Sequence, residues 1–371
     1  MRIAFVIYSL GGGGAERVTA VLSRHWAITG HKVRVMTLAE ATENFYDLGA
    51  DVEYESLHQG DLSKNLWHAV VSNLSRILVT RRRLTAFNPD VVIGMTSTSS
   101  ALVALACLGL PCATIGTERT YPPNAPFSPF RQFVCNLSYR FLDAVVAQTN
   151  KTAEWIKAHT LAKATHVIAN PLAWPLESST PFLCPDDTCA PERFVILAVG
   201  RLSPEKDFIN LMEAFARVHI DYPSWDLVIL GSGPDEKLLK MKRDQLGMRD
   251  RIFFPGRAGN VGDWYKRASI FAMTSLLEGF PNALLEAMGH GLPVISTDCE
   301  TGPRDLIEHG ANGLLVPPGD REALAAGLRQ LMEDGELRQR LSSRASQVIE
   351  GYAVSRISQQ WLDVFSAARG R

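Results

Sequence analysis

Glu278 and Glu286 stand eight residues apart. Gly279, Phe280, Pro281 and Asn282 lie between them, and Gly291, Leu292 and Pro293 follow. The pattern predicts a loop entering a helix, with one acid on each side of the entry. Proline suits a first helical turn, where its missing N–H costs nothing. Gly291 and Pro293 mark the stop. The first N–H groups of a helix lack internal acceptors and favour an anion, most often phosphate. Glu278 falls in the entry loop, and Glu286 lies more than a turn inside the helix. Such a pair can hold hydroxyls on either side of a bound diphosphate. Leu284, Leu285 and Met288 make this helix largely buried, and a buried acid needs a partner.

Two further clusters suit phosphate. Arg201 and Lys206 follow directly on the apolar run Phe194 to Val199. A planar guanidinium fork and a mobile ammonium can clamp a diphosphate; alone, the same turn reads equally well as a solvated basic loop. Gly11 to Gly14, ahead of Ala15 and Glu16, lets the backbone approach a phosphate at a helix start, or forms a plain strand-to-helix turn. A dinucleotide fingerprint needs a third small residue in this loop. That place holds Glu16 in one register and Arg17 in the next. Neither allows close helix–strand packing, so NAD is disfavoured even though Glu40 could mimic the fingerprint's acid.

These residues need a frame that brings strand ends together. A chain of 371 residues with 46% hydrophobic and 21% charged residues suits a soluble protein of two domains. In the first half, strands are expected at Arg2–Ile7, Val33–Leu38, Asp90–Gly94, Ala113–Gly116, Ala144–Ala147 and His166–Ala169, with helices at Ala15–Thr29 and Ser99–Gly109. After Asn170-Pro171 the residues 173–192 are rich in Pro, Ser and acids and read as a linker. The pattern then restarts with strands at Phe194–Val199, Trp225–Leu230, Arg251–Phe254, Ile270–Thr274 and Pro293–Thr297. Alternating units of this kind imply parallel, doubly wound sheets. The expected division is a first domain over 1–172, the linker, a second domain over 193–350 and a closing helix over 351–371.

Charge is uneven. Up to Leu172 there are 16 Lys and Arg against 12 Asp and Glu, and beyond it 22 against 27, which leaves the overall −1. The first half is the natural partner for an anionic surface. Between Asp61 and Asp90 stand Lys64, Arg76, Arg81, Arg82 and Arg83 without an acid, and Leu62, Leu66, Val70, Leu74, Ile77 and Leu78 recur at helical spacing beside Trp67. A basic amphipathic helix can lie on anionic lipid; equally, its apolar stripe can pack on the core. A second acid-free stretch, between Glu118 and Asp143, holds Arg131, Phe133, Tyr139 and Arg140. Basic residues dominate neither half, which disfavours nucleic acid. The six cysteines lack metal-site spacing and read as free thiols of a reducing compartment. The longest apolar stretch, Ala101 to Leu110, falls short of the about 20 residues that span a bilayer. No signal peptide is evident. The expectation is a cytoplasmic protein, soluble or peripheral at the inner face of the cell membrane.

The Glu278–Glu286 segment resembles the paired-glutamate region of retaining family-4 glycosyltransferases, which have the GT-B fold. Val199 to Asp207 is similar to that family's Gly-Arg…Lys turn. Leu230 to Pro234 and Phe254 to Arg257 resemble its next two strand ends, and Gly302 to Val316 resembles the stretch after the glutamates. The glycine run and the helix around Trp361 also fit, so the resemblance spans nearly the whole chain in order. It implies two Rossmann-like domains facing a central cleft, with the last helix crossing back to the first domain. It implies that Arg201 and Lys206 bind the donor diphosphate, that Glu286 binds ribose hydroxyls, and that Glu278 contacts the transferred sugar with the backbone of Phe280, Pro281, Asn282, Ala283 and Leu284. Gly13 and Gly14 would close over the sugar nucleotide, and the backbone near Gly231 and Arg257 would meet the base.

Many family members carry a histidine where Glu118 and Arg119 stand here. Some relatives acting on lipid-linked glycans show a similar pair. Glu118 could act on acceptor hydroxyls or as a base, and Arg119 could bind phosphate; a mutual ion pair is the alternative. Without an Asp-x-Asp sequence no metal or other cofactor is called for. The expected partners are a nucleotide sugar, most simply UDP-linked and carrying a hexosamine, and a glycan acceptor on polyprenyl diphosphate. A sugar-nucleotide-binding subunit without turnover, or a GT-B epimerase, are the competing readings.

Overall fold

The computed structural model describes residues 1–39, 46–60, 66–124 and 128–370. Most of its strands are short apolar runs buried on both faces, as parallel sheets covered by helices require. The chain divides into one unit of residues 1–171 and 352–371 and a second of residues 172–351.

The first unit runs β1 (Arg2–Ile7), α1 (Gly14–Ile28), β2 (Lys32–Thr37), β3 (Val52–Ser56), α2 (Leu66–Phe87), β4 (Val91–Gly94), α3 (Ser97–Ala106), β5 (Ala113–Glu118), α4 (Pro129–Ser138), β6 (Ala144–Ala147), α5 (Asn150–His159) and β7 (Thr165–Val167). All pairings are parallel, in the order β3-β2-β1-β4-β5-β6-β7. Ile3, Phe5 and Ile7 point to one face with Trp26 of α1, while Ala4 and Val6 point to the other with Leu84 and Phe87 of α2. Thr96 and Thr149 cap α3 and α5 by accepting from the N–H of Ser99 and Thr152, which fixes where each helix leaves its strand.

The second unit holds β8 (Phe194–Val199), α6 (Phe208–Val218), β9 (Trp225–Leu230), α7 (Glu236–Gln245), β10 (Ile252–Gly256), α8 (Val261–Arg267), β11 (Ile270–Met273), α9 (Asn282–Gly289), β12 (Val294–Thr297), α10 (Pro303–Leu306), β13 (Leu314–Val316), α11 (Arg321–Glu333), α12 (Gly335–Ala345) and α13 (Val348–Gly351). Its sheet is also parallel, ordered β10-β9-β8-β11-β12-β13. Residues 173–192 carry no strand and one helical turn at Pro185–Asp187. They are tied to α8: Ser179 N–H donates to Gly259 C=O at 3.0 Å, and Leu183 N–H to Asn260 Oδ1 at 3.0 Å. The final helix, α14 (Val354–Arg369), belongs to the first unit. Its Trp361 and Phe365 pack edge-on against Trp26, whose indole N–H donates to Ser358 Oγ at 2.7 Å.

Strands β3 and β13 are absent from the sequence expectation. β3 is an edge strand whose Glu53 and Glu55 pair with Arg34 of β2, so its pattern is polar rather than apolar. Pro281 is the residue before α9, not part of its first turn.

Candidate active site

Strand order reverses between β1 and β4 in the first sheet and between β8 and β11 in the second. Ligands of open α/β sheets bind outside the carboxyl ends of the strands at such points. The turns that leave these four strands hold Gly11–Gly14, Met95–Ser97, Gly200–Lys206 and Thr274–Glu278.

In the second unit the turns after β8 and β11 are stitched together. Thr274 Oγ1 reaches the carbonyls of Lys206 (2.9 Å) and Asp207 (3.2 Å), and Leu276 N–H donates to Glu205 C=O at 2.8 Å. This clasp sets the side chains. Lys206 Nζ lies 2.6 Å from Glu278 Oε1, which also accepts from Ser275 Oγ at 2.6 Å. The sequence reading gave these two residues separate ligand groups; the structure joins them. Thr297 Oγ1 donates to Ser275 C=O at 2.6 Å, and Thr301 Oγ1 donates to Glu278 C=O. These threonines hold the loop that carries Glu278. They escaped the sequence reading because each contact spans more than 20 residues.

Glu286 sits four residues into α9 and is buried. Its Oε2 lies 3.2 Å from the Tyr265 hydroxyl, which is also 3.2 Å from Ala283 C=O. Tyr265, likewise unanticipated, supplies the partner that a buried acid requires. Phe280 and Pro281 are buried at the helix entry, while Asn282 and Ala283 keep partial exposure and Leu284 is in the core. Arg201 is exposed beside this entry loop's partner turn, and Arg257 is exposed at the end of β10.

Gly231 has φ +150°, and a Cβ there would lie 1.9 Å from Gly200 C=O. Only glycine lets the ends of β8 and β9 approach this closely. Gly13 is the residue before α1, and a Cβ on it would meet Glu16 Oε2 at 2.5 Å. The Glu16 carboxylate thus lies against the glycine turn, where a dinucleotide motif needs open backbone. Burial raises its pKa.

At the end of β5, Glu118 is buried and accepts from Ser97 Oγ at 2.8 Å and from the Tyr139 hydroxyl. Burial pushes its pKa up to about 7 despite those two donors. Arg119 turns elsewhere: Nη1 donates to Asn170 Oδ1 at 2.8 Å, and Nη2 lies 3.6 Å from Met95 Sδ. The two residues therefore do not form the mutual ion pair left open by the sequence, because successive residues of an extended chain point to opposite sides.

The arginines of α2 are largely engaged. Arg81 Nη1 donates to the carbonyls of Ala106 (2.9 Å) and Leu108 (2.6 Å), Arg83 pairs with Glu55 at 3.1 Å, and Arg76 Nε donates to Gln59 C=O at 2.9 Å. Arg82 is exposed. Trp67 falls in the first turn of α2, and Lys64 and Glu40 lie outside the described residues. Among the described residues no group of three His, Cys, Asp or Glu could hold a metal ion, and no helix is long and apolar enough to cross a membrane.

Residues 12–172 match the model described as Glycosyltransferase Family 4, and residues 187–348 match Glycosyl transferases group 1. Along 100% of its length the chain is 28% identical to 99% of a Campylobacter jejuni α-1,4-N-acetyl-D-galactosaminyltransferase named for a GalNAc-containing glycan on PP-undecaprenol. Among solved structures, HepE of Anabaena in complex with UDP-glucose superposes with a TM-score of 0.79 at 23% identity, covering 99% of this chain and 100% of that one. Sucrose-phosphate synthase of Thermosynechococcus elongatus reaches a TM-score of 0.84 at 17% identity, over 99% and 98%. With two parallel-sheet units, both switch points furnished and two family models matched in order, the chain belongs to the family-4 glycosyltransferases of the GT-B fold.

Proposed function

We propose that this glycosyltransferase moves a hexosamine from a UDP-sugar, with retention, to an oligosaccharide carried on polyprenyl diphosphate during synthesis of a bacterial surface glycan. The observation that carries the reading is the Lys206–Glu278 contact at the β8–β11 switch point, with Glu286 held by Tyr265 one helix turn beyond. An incoming diphosphate takes over the Lys206 ammonium together with Arg201 and the first-turn amides of α9, at Ala283 and Leu284. Glu278 is thereby released to the hydroxyls of the sugar, and Glu286 serves the ribose. Charge that develops on the leaving diphosphate meets a preorganised cationic turn, the kind of stabilisation that dominates many transfer reactions. Retention follows if the leaving diphosphate takes the acceptor's proton on the face it departs from. Gly231 and Arg257 line the base.

Glu118 serves as the group near the acceptor hydroxyl. Its raised pKa keeps much of it protonated near neutral pH, suiting it to hydrogen bonding with hydroxyls. The acceptor class is supported by the undecaprenol-linked glycan in the name of the Campylobacter relative. A peripheral position at the inner membrane face is supported by the outward apolar side chains of α2 and α4. Val70, Val71, Leu74 and Leu78 are exposed on α2, and Phe130, Phe133, Val134 and Leu137 on α4.

The deciding experiment is transfer from UDP-GlcNAc, UDP-GalNAc and UDP-glucose to short glycans on undecaprenyl diphosphate, followed by mass spectrometry and anomeric NMR of the product. A single α-linked product from an α-linked UDP-hexosamine is expected. Release of free UDP without acceptor, or binding without turnover on every acceptor, would overturn the proposal.

A further inference from the structure

A guanidinium drawn partly out of water is expensive unless an anion faces it, and among the described residues none pairs with Arg119. Its contacts are the Asn170 amide oxygen, at 2.8 Å, and the Met95 thioether, at 3.6 Å. Asn170 is itself held by Gln148, whose Nε2 donates to the same oxygen at 2.6 Å. Arg119 Nε is buried without a hydrogen-bond partner, and no ion pair among the described residues includes this side chain. Glu118, the adjacent acid, is committed to Ser97 and Tyr139. Burial alone draws the Arg119 pKa down to about 10, with no neighbouring carboxylate raising it. Yet the side chain keeps part of its surface open.

The surroundings have the same sign. Met95 and Gln148 each come directly before the cap residue of a ten-residue helix, α3 and α5. Helix starts carry partial positive charge and N–H groups without internal acceptors. Thr96 and Thr149 satisfy one such N–H in each helix. A fixed cation, two positive helix ends and neutral amides thus meet at the carboxyl ends of β4 to β7, where this sheet class takes ligands. Guanidinium forks and helix starts share a preference for phosphate oxygens.

We propose that Arg119, set by Asn170 and Gln148, is the cation of a second phosphate site, which takes the diphosphate of the acceptor. The assignment rests on the lipid-linked acceptor proposed above. It separates the two diphosphates of the reaction: Arg201 and Lys206 serve the donor, and Arg119 serves the acceptor.

The test uses the full chain with Lys206→Ala, which silences the donor clamp, and pyrophosphate as the probe in calorimetry. Residual pyrophosphate binding is expected, weakened about ten- to a hundredfold by adding Arg119→Gln. Asn170→Asp leaves the arginine in place and supplies the missing carboxylate, so it should weaken pyrophosphate to a similar extent. It decides the matter alone if Arg119→Gln does not fold. With Lys206 intact, neither substitution should move UDP affinity more than about twofold, whereas the KM for a polyprenyl-diphosphate acceptor should rise about tenfold or more. Pyrophosphate binding that ignores both substitutions overturns the site. UDP affinity falling in parallel reassigns the cation to the donor and overturns the acceptor role. Absence of transfer by the wild type would instead sink the proposed function, leaving the pyrophosphate result standing.

Discussion

Lys206 and Glu278 neutralise each other at 2.6 Å, so each substitution has a predictable side effect. Lys206→Ala strips the cation from the diphosphate and leaves Glu278 beside it as an uncompensated acid. UDP affinity should fall by about tenfold or more and turnover by about 10²–10³, read by calorimetry and initial rates. Lys206→Ala with unchanged UDP affinity would falsify the clamp. Glu118 gives a different kind of test. Its folded pKa, about 7, lies above the usual glutamate value because burial disfavours the charged carboxylate, so the folded state binds the extra proton. Its contribution to stability is complete below about pH 4.5 and disappears as pH rises to about 7, at a cost of about 3 kcal/mol. Glu118→Gln keeps an acceptor for Ser97 and Tyr139 but has no proton to lose. Urea midpoints between pH 5 and 8 should decline less steeply in the variant than in the wild type. Of the candidate site, Glu278, Glu286, Arg201 and Lys206 stand out in sequence because charged residues stand at fixed distances from glycines and prolines. Tyr265, Ser275, Thr297 and Thr301 are invisible there. Each is a common hydroxyl residue, and its use depends on a strand or helix distant in the chain.

Elements tell a similar story. β1, β6, β8 and β9 begin and end at the residues expected, since each is an apolar run closed by glycine or a polar turn. β3 could not be read in this way: its charged residues are satisfied across the sheet edge by Arg34, a tertiary fact. The turn after β9 offers a sharper check than any propensity. Gly231→Ala drives a methyl into Gly200 C=O and forces a side chain onto φ +150°. A loss of about 2 kcal/mol or more is expected in urea unfolding, with UDP binding reduced alongside. On the first unit, α4 carries Phe130, Phe133, Val134 and Leu137 at helical spacing, all facing outward. These four side chains are therefore not packed into the core of the first unit. Phe130→Ser with Phe133→Ser should cut cosedimentation with phosphatidylglycerol vesicles about tenfold or more while leaving the UDP titration as it was. Equal sedimentation of both proteins would remove α4 from the membrane contact.

At the scale of the whole molecule, the charge split matters. The excess of basic residues up to Leu172 and of acidic ones beyond it predicts that vesicle binding through the first unit weakens as NaCl rises through the range where the Debye length shrinks below about 10 Å. Binding to the neutral UDP-independent surface of phosphatidylcholine should change little over the same range. The uneven charge is legible from the sequence, whereas the engagement of Arg76, Arg81 and Arg83 inside the fold is not; it reduces how much of that charge a membrane can meet.

The place of α14 has a consequence for how the molecule is made. Trp26, near the start of the chain, closes its pocket with Ser358, Trp361 and Phe365. The second unit is one continuous stretch, 172–351, but the first draws on both 1–171 and 352–371. On the ribosome, domains ordinarily complete themselves from the N-terminus onward. Here the order is inverted: the second unit can finish while the first still waits, with Trp26 uncovered, for Val354–Arg369 to be synthesised. Free chains truncated before Val354 should therefore show a protease-resistant second half and a sensitive first half, and chains that include Val354–Arg369 should resist along both.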